Sequence, residues 1–202
     1  MLDRSGTMKR AFPYSKTFAK LISEHFQISQ SGAHVGVVTF GEDAELQIAL
    51  DAHDTYPKFE DAVDKIPFEG YRTRIHRAFE VASEKLFNVS HGSRPGIPKL
   101  LFLVTDGRQS PQSNVGKFMR SFKTSIPLLL RQVQIVAIGL HGTTEADVKT
   151  LQFLTRSRKN VYIIDDPKEL SSRKFLDGLV YNYCQEVSEA NVVKTTNSIS
   201  RN

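Results

Sequence analysis

The sequence predicts an α/β fold: a doubly wound, mostly parallel sheet with one antiparallel edge strand and helices on both faces. Three observations predict it. Leu100–Thr105 is a continuous apolar run whose only polar residue is its last, the pattern of a strand covered on both faces. Residues 133–140 form a second strand of mostly apolar residues, and helical stretches separate the strands, as parallel crossovers require. Residues 35–40 and 44–50 instead follow one another across Gly41-Glu42-Asp43, so this hairpin supplies the antiparallel edge.

The remaining elements follow in order. Over residues 12–26 the apolar Phe18, Leu21, Ile22 and Phe26 recur at three- and four-residue spacing, an amphipathic helix. A short helix is expected over residues 59–66, stopped by Pro67, and a longer one carrying Ile75, Ala78, Phe79, Ala82 and Leu86, ended by the Gly- and Pro-containing loop 88–98. Residues 115–130 read as the helix joining the two buried strands; 145–156 as a helix, 161–164 as a short strand and 167–186 as the closing helix. One domain is expected over residues 1–186, followed by a flexible polar tail over 187–202, where Ser, Thr, Asn and charge leave little to bury.

Composition excludes several classes. A chain of 202 residues with a hydrophobic fraction of 40% can build a core without disulfide staples. No apolar run approaches the ~20 residues of a membrane-crossing helix, so membrane insertion is not expected. The formal charge of +5 favours acidic partners, but Lys and Arg are spread along the chain without an aromatic-interleaved stripe, so nucleic acid is not an expected partner. Cys184 is the only cysteine, which rules out an internal disulfide and a thiolate metal site. The start Met1-Leu2-Asp3-Arg4 turns charged at once and is not a secretion signal. There is no Gly-x-Ser-x-Gly elbow, phosphate-cradling Gly-x-x-x-x-Gly-Lys or dinucleotide fingerprint, and the histidines are scattered singles; an enzyme is not expected.

In an open α/β sheet, ligands bind at the carboxyl ends of the strands near the point where strand order reverses. Three loops put polar residues there: Asp3-Arg4-Ser5-Gly6-Thr7, Tyr71-Arg72-Thr73 and Thr105-Asp106-Gly107. Singly, each has a local explanation, as helix N-caps or an Asp-Gly turn. Together Asp3, Ser5, Thr7, Thr73 and Asp106 make a set of oxygen donors that suits Mg²⁺, or Mn²⁺.

In this order these residues resemble the metal-ion-dependent adhesion site (MIDAS) of von Willebrand factor type A domains. Its Asp-x-Ser-x-Ser matches Asp3, Ser5 and Thr7, with Thr keeping the hydroxyl. Its second loop, Gly-Thr-Asn-Thr-Gly-x-Ala-Leu, aligns Thr73 with the metal-binding threonine, although Ile75 and His76 replace the commoner Thr and Gly. The apolar strand ending in Thr105-Asp106-Gly107 matches the third element. The resemblance, which runs to about Glu186, implies that Ser5, Thr7 and Thr73 touch the cation directly, with Asp3 and Asp106 acting through water. Neutral hydroxyl ligands would leave the cation's charge poorly quenched and one position open to a carboxylate of a protein partner. Arg4, Arg72, Arg74 and Arg108 stand beside these residues, so we expect a cationic rim that favours an acidic ligand, a matrix-protein carboxylate or a sulfated glycan.

The resemblance further implies an extracellular place, as a secreted protein or the ectodomain of a larger one. Asn88-Val89-Ser90, a glycosylation acceptor, agrees with it. It also implies a buried apolar strand before Asp3, where only Met1 and Leu2 stand, so we expect a chain that starts late rather than a sheet with an open central slot. A late start would account for Cys184, since extracellular members often pair a cysteine of the closing helix with one before the first strand. Two alternatives stand beside the adhesive reading. One is a structural module for matrix assembly that does not use the metal. The other is a haloacid-dehalogenase-like phosphatase, whose Asp-x-Asp-Gly-Thr loop differs from Asp3-Arg4-Ser5-Gly6-Thr7 by the acid that does the proton transfer.

Overall fold

The computed structural model describes residues 1–108, 129, 131–140 and 142–184. The helix expected over 115–130 lies outside these residues except for Leu129, and the expected tail lies wholly outside them. Six strands form one sheet: β1 Leu2–Asp3, β2 Val37–Phe40, β3 Ala44–Ile48, β4 Leu100–Thr105, β5 Gln134–Gly139 and β6 Val161–Ile163, in the order β3-β2-β1-β4-β5-β6. All neighbours are parallel except β2 and β3, whose hairpin register shifts between Val37 and Val38. The mixed sheet with its antiparallel edge is the predicted one, and its strand order reverses between β1 and β4.

Alternation along β4 splits the core between the two faces. Leu101 and Leu103 enter one apolar cluster with Phe79 and Leu151, while Val104 and the half-buried Phe102 enter the other with Phe18 and Phe59. The second cluster is covered by α1 (Phe12–Glu24), whose Phe18 and Ile22 form one buried stripe, and by α2 (Tyr56–Asp64). The first is covered by α3 (Ile75–Val81), continued by a π-helical turn over Ala82–Leu86, and by α4 (Glu145–Thr155). Thr144 and Asp147 close a capping box at the start of α4, and Arg156 in the left-handed region ends it.

Several boundaries fall a few residues from the pattern in the sequence, and two of the differences have a clear cause. α2 starts at Tyr56 rather than 59, because Pro57 sits in the first helical turn, where a missing N–H costs nothing. The closing helix is interrupted: Pro167–Ser171 is a 3-10 turn capped by the Asp166 side chain, Ser172 is extended, and residues 173–184 are helical. The turn lets fully buried Leu170 reach the α1 side of the core.

This last helix, α5, is tied to α1 by His25, whose Nε2 lies 2.9 Å from Asp177 and whose Nδ1 lies 3.0 Å from the Leu21 carbonyl. The hydrogen bond to Asp177 raises the His25 pKa above its usual value. The pair therefore stabilises the fold below the unfolded-state pKa of about 6.5, and the contribution is lost as pH rises through the raised folded value. Because the pair is solvent-screened, Asp177→Asn is expected to cost only about 0.5 kcal/mol at pH 6 and nothing measurable at pH 9. Denaturant melts at the two pH values check this.

β1 sits at the centre of the sheet but has only two residues. The Met1 nitrogen donates to the Phe102 carbonyl at 2.7 Å, and Val104 N–H donates to the Met1 carbonyl at 3.0 Å. Beyond Met1, between the starts of β2 and β4, lies a cavity of about 320 Å³.

Candidate metal centre

The site forms where β1 and β4 end, at the reversal of strand order. β1 delivers Asp3 fully buried. Asp3 Oδ1 accepts the Ser5 N–H at 2.9 Å, an Asx turn that bends the chain, and Ser5 Oγ then lies 3.3 Å from Thr7 Oγ1 in the 3-10 turn Gly6–Met8. Ser5 is buried, and Thr7 is exposed at the rim. Ser5 is the N-cap of the 3-10 turn and makes no side-chain cap hydrogen bond to it; the N-cap position of α3 is Arg74, and that of α1 is Ala11.

Backbone clamps join the loops. Gly6 N–H donates to the Tyr71 carbonyl at 2.8 Å, and Gly70 N–H donates to the Arg4 carbonyl at 3.0 Å. A Cβ at Gly6 would stand 2.9 Å from the Gly70 carbonyl oxygen, so only glycine permits this approach. Arg74 N–H donates to the Gly41 carbonyl at 3.0 Å, tying the second loop to the β2–β3 turn and setting Thr73, 4% exposed, at its inner side.

The third loop is joined to the first by a side chain. Thr105 Oγ1, fully buried at the end of β4, donates to Asp3 Oδ2 at 2.6 Å and accepts the Gly107 N–H at 3.0 Å. Asp106 follows, 4% exposed, its Oδ1 accepting Arg108 N–H at 3.0 Å and its carbonyl accepting the Thr143 hydroxyl at 3.1 Å. Gly107 has φ 77°, and a Cβ there would meet Asp147 at 2.9 Å.

Burial pushes the Asp3 carboxyl up to about 7; hydrogen bonds from Thr105 and Ser5 offset part of this, and the nearby Asp106 carboxylate adds to it. Two carboxylates thus share one electrostatic environment, walled by hydroxyls rather than by further acids. Among the described residues no three His, Cys, Asp or Glu side chains cluster.

The arginine rim is corrected at Arg4. Its side chain is 1% exposed, and its Nη2 lies 3.0 Å from both Glu45 and Glu69. These contacts are close enough for charge pairing, but no guanidinium N–H of Arg4 is aligned for a hydrogen bond. Arg4 is buried at the hairpin and is not part of the rim. Arg74 pairs closely with Glu42, and the more exposed Arg72 lies 3.9 Å from the same carboxylate, so Glu42 offsets much of the Arg74 charge and less of that on Arg72. Arg108 is exposed and donates to the Gly142 carbonyl at 3.0 Å. Thr105, which the sequence named as part of its loop without giving it a role, and Thr143, which it did not name, are structural partners of the two carboxylate loops. A hydroxyl ending an apolar strand was a usable signal for Thr105; Thr143 had none, standing beside the cap residue Thr144.

The chain is similar to several known proteins. It is 25% identical to cuticlin-6 of Caenorhabditis elegans over 186 residues, 92% of this chain and 30% of that one. It is 24% identical to the collagen alpha-5(VI) chain of Mus musculus, over 96% of this chain and 7% of that one, and 23% identical to matrilin-1 of Gallus gallus, over 85% and 37%. The chain thus spans well under half the length of these relatives. Among solved structures, proximal thread matrix protein 1 of the mussel byssus, with a zinc-occupied MIDAS motif, superposes with a TM-score of 0.71 at 23% identity, over 91% of this chain and 44% of that one. The model of the von Willebrand factor type A domain matches residues 1–174, and the chain belongs to that family.

Proposed function

We propose that this domain is a binding module, not a catalyst, that holds a divalent cation, Mg²⁺ or Mn²⁺, among Asp3, Ser5, Thr7, Thr73 and Asp106 and captures an acidic group of a partner protein there. The observation that carries the reading is the pairing of Ser5 and Thr7 hydroxyl oxygens at 3.3 Å beside a buried carboxylate. Two oxygens sharing an octahedral ion at about 2.1 Å sit roughly 3 Å apart, so this pair fits adjacent ligand positions. The close carboxylates of Asp3 and Asp106 also gain from a shared positive charge. When bound, the cation supplies a Lewis-acidic position for a ligand carboxylate.

The chain's own residues do the rest. Thr105 holds Asp3 Oδ2, the Asx turn holds Asp3 Oδ1, and Arg108 N–H holds Asp106 Oδ1, so both carboxylates are fixed in advance. The clamps at Gly6 and Gly70 set the spacing of the first two loops. Exposed Arg72 and Arg108 remain to steer an acidic partner towards the rim. Relatives named collagen and matrilin, and a neighbour named for a thread matrix, support a partner among matrix proteins and a place outside the cell.

Binding to an immobilised acidic peptide tests the reading. We expect binding in Mg²⁺, loss in EDTA, and several-fold weaker, less salt-sensitive binding for Arg72→Glu. Binding that survives EDTA would favour the metal-independent matrix module, and preference for a sulfated glycan over the peptide would shift the ligand class.

A further inference from the structure

We infer that Asn88 is a glycan attachment site, whose side-chain Nδ2 takes an N-linked oligosaccharide, and that the sugar stands at the end of the domain opposite the metal centre. The inference rests on the place outside the cell proposed above. Asn88 is the only asparagine of the chain with Ser or Thr two residues later, and Val89 rather than proline stands between them.

The local geometry suits an acceptor. Asn88 caps the 3-10 turn Val89–His91. Its Oδ1 accepts the Ser90 N–H at 3.0 Å and the Ser90 hydroxyl at 2.9 Å. Ser90 thus holds the carbonyl side of the amide, while Nδ2 makes only a long 3.4 Å bond to the Glu84 carbonyl. An amide nitrogen carries two N–H groups, so exchanging one for a sugar keeps both bonds of the cap and leaves a donor for Glu84. Asn88, Val89 and Ser90 are all exposed, Val89 at 67%. Behind them the backbone is tied down: the Asn88 carbonyl accepts the His91 and Ser93 N–H groups, and the His91 carbonyl accepts Leu50 N–H at 3.0 Å. The folded domain can therefore carry the sugar without rearranging. With a lipid-pyrophosphate oligosaccharide as donor, a bond forms between sugar C1 and Nδ2 and the bond from C1 to the pyrophosphate oxygen breaks. The pyrophosphate leaves with the electron pair, and Nδ2 gives up one proton to the transferase.

The position of Leu50 locates the sugar. Leu50 follows β3, whose Ile48 pairs with Val37 at the start of β2, so Asn88 stands near the amino ends of the parallel strands. Asp3 and Asp106 stand at the carboxyl ends, and the six residues of β4 alone put roughly 20 Å between the two ends. A bulky, hydrophilic chain at Asn88 shields the far end and leaves the rim open.

The test secretes the whole chain from insect cells behind a signal peptide and weighs it before and after peptide-N-glycosidase. We expect a protein heavier than the chain by one oligosaccharide, and digestion in heavy-oxygen water should leave a labelled aspartate where peptide mapping finds Asn88. Asn88→Gln and Ser90→Ala should emerge without the sugar, and Ser90→Thr should keep it. An unmodified Asn88 in the secreted wild type, or a sugar retained in Ser90→Ala, would overturn the proposal. The wild-type mass decides by itself, so a variant that fails to fold hides nothing. Secretion is imposed, so failure counts against Asn88 and not against the place outside the cell. Mn²⁺ affinity should agree within about twofold before and after removal of the sugar, and a tenfold difference would overturn its placement away from the metal centre.

Discussion

Asp106→Asn is expected to weaken Mn²⁺ or Mg²⁺ binding by tenfold to about a hundredfold while leaving the protein folded. The amide keeps an oxygen for Arg108 N–H, now 3.0 Å from Asp106 Oδ1, and occupies the same volume. What disappears is one negative charge beside Asp3. Calorimetric titration reads the affinity, and the thermal midpoint reads the fold. An unchanged affinity would remove Asp106 from the site, and a collapsed midpoint would mean that its role is structural.

Phe79→Ala is expected to cost about 3–5 kcal/mol, the range for a large aromatic removed from a rigid core. Phe79 is fully buried in the cluster that includes Val38, Phe40, Ile75 and Leu103. Against a total stability of about 5–15 kcal/mol, this is a large share. The consequence reaches the site, because α3 begins at Ile75, two residues after Thr73. Loosening the helix should therefore weaken cation binding as well as stability. Denaturant unfolding measures the cost, and a loss below about 1 kcal/mol would mean that this face of the sheet is poorly packed.

The parts legible in the sequence were those set by local pattern. Leu100–Thr105 announces a doubly covered strand because burial on both faces leaves no room for a polar residue before its end. The hairpin is set by the short turn between Val37–Phe40 and Ala44–Ile48. The candidate oxygens were legible because each stands beside a turn residue or a strand end, and the fold brings their loops to one edge. Arg4 was misread because its direction depends on Glu45 and Glu69, which are distant along the chain and meet it only after folding. Adjacent sequence placed it with Ser5, whereas its buried side chain reaches Glu45 and Glu69. The break at Ser172 was hidden for a similar reason: the helical pattern is continuous through it, and the need to bury Leu170 decides the local backbone.

Paramagnetic broadening by Mn²⁺ in ¹H–¹⁵N spectra tests the central claim most directly, because it reports where the ion sits without a ligand or a mutation. Substoichiometric Mn²⁺ should erase the amide signals of Ser5, Gly6, Thr73, Asp106 and Gly107 first and leave those of Gly36 and Lys99, at the opposite end of the strands, intact. Uniform weak broadening, or loss centred on any other cluster, would contradict a metal centre at this rim.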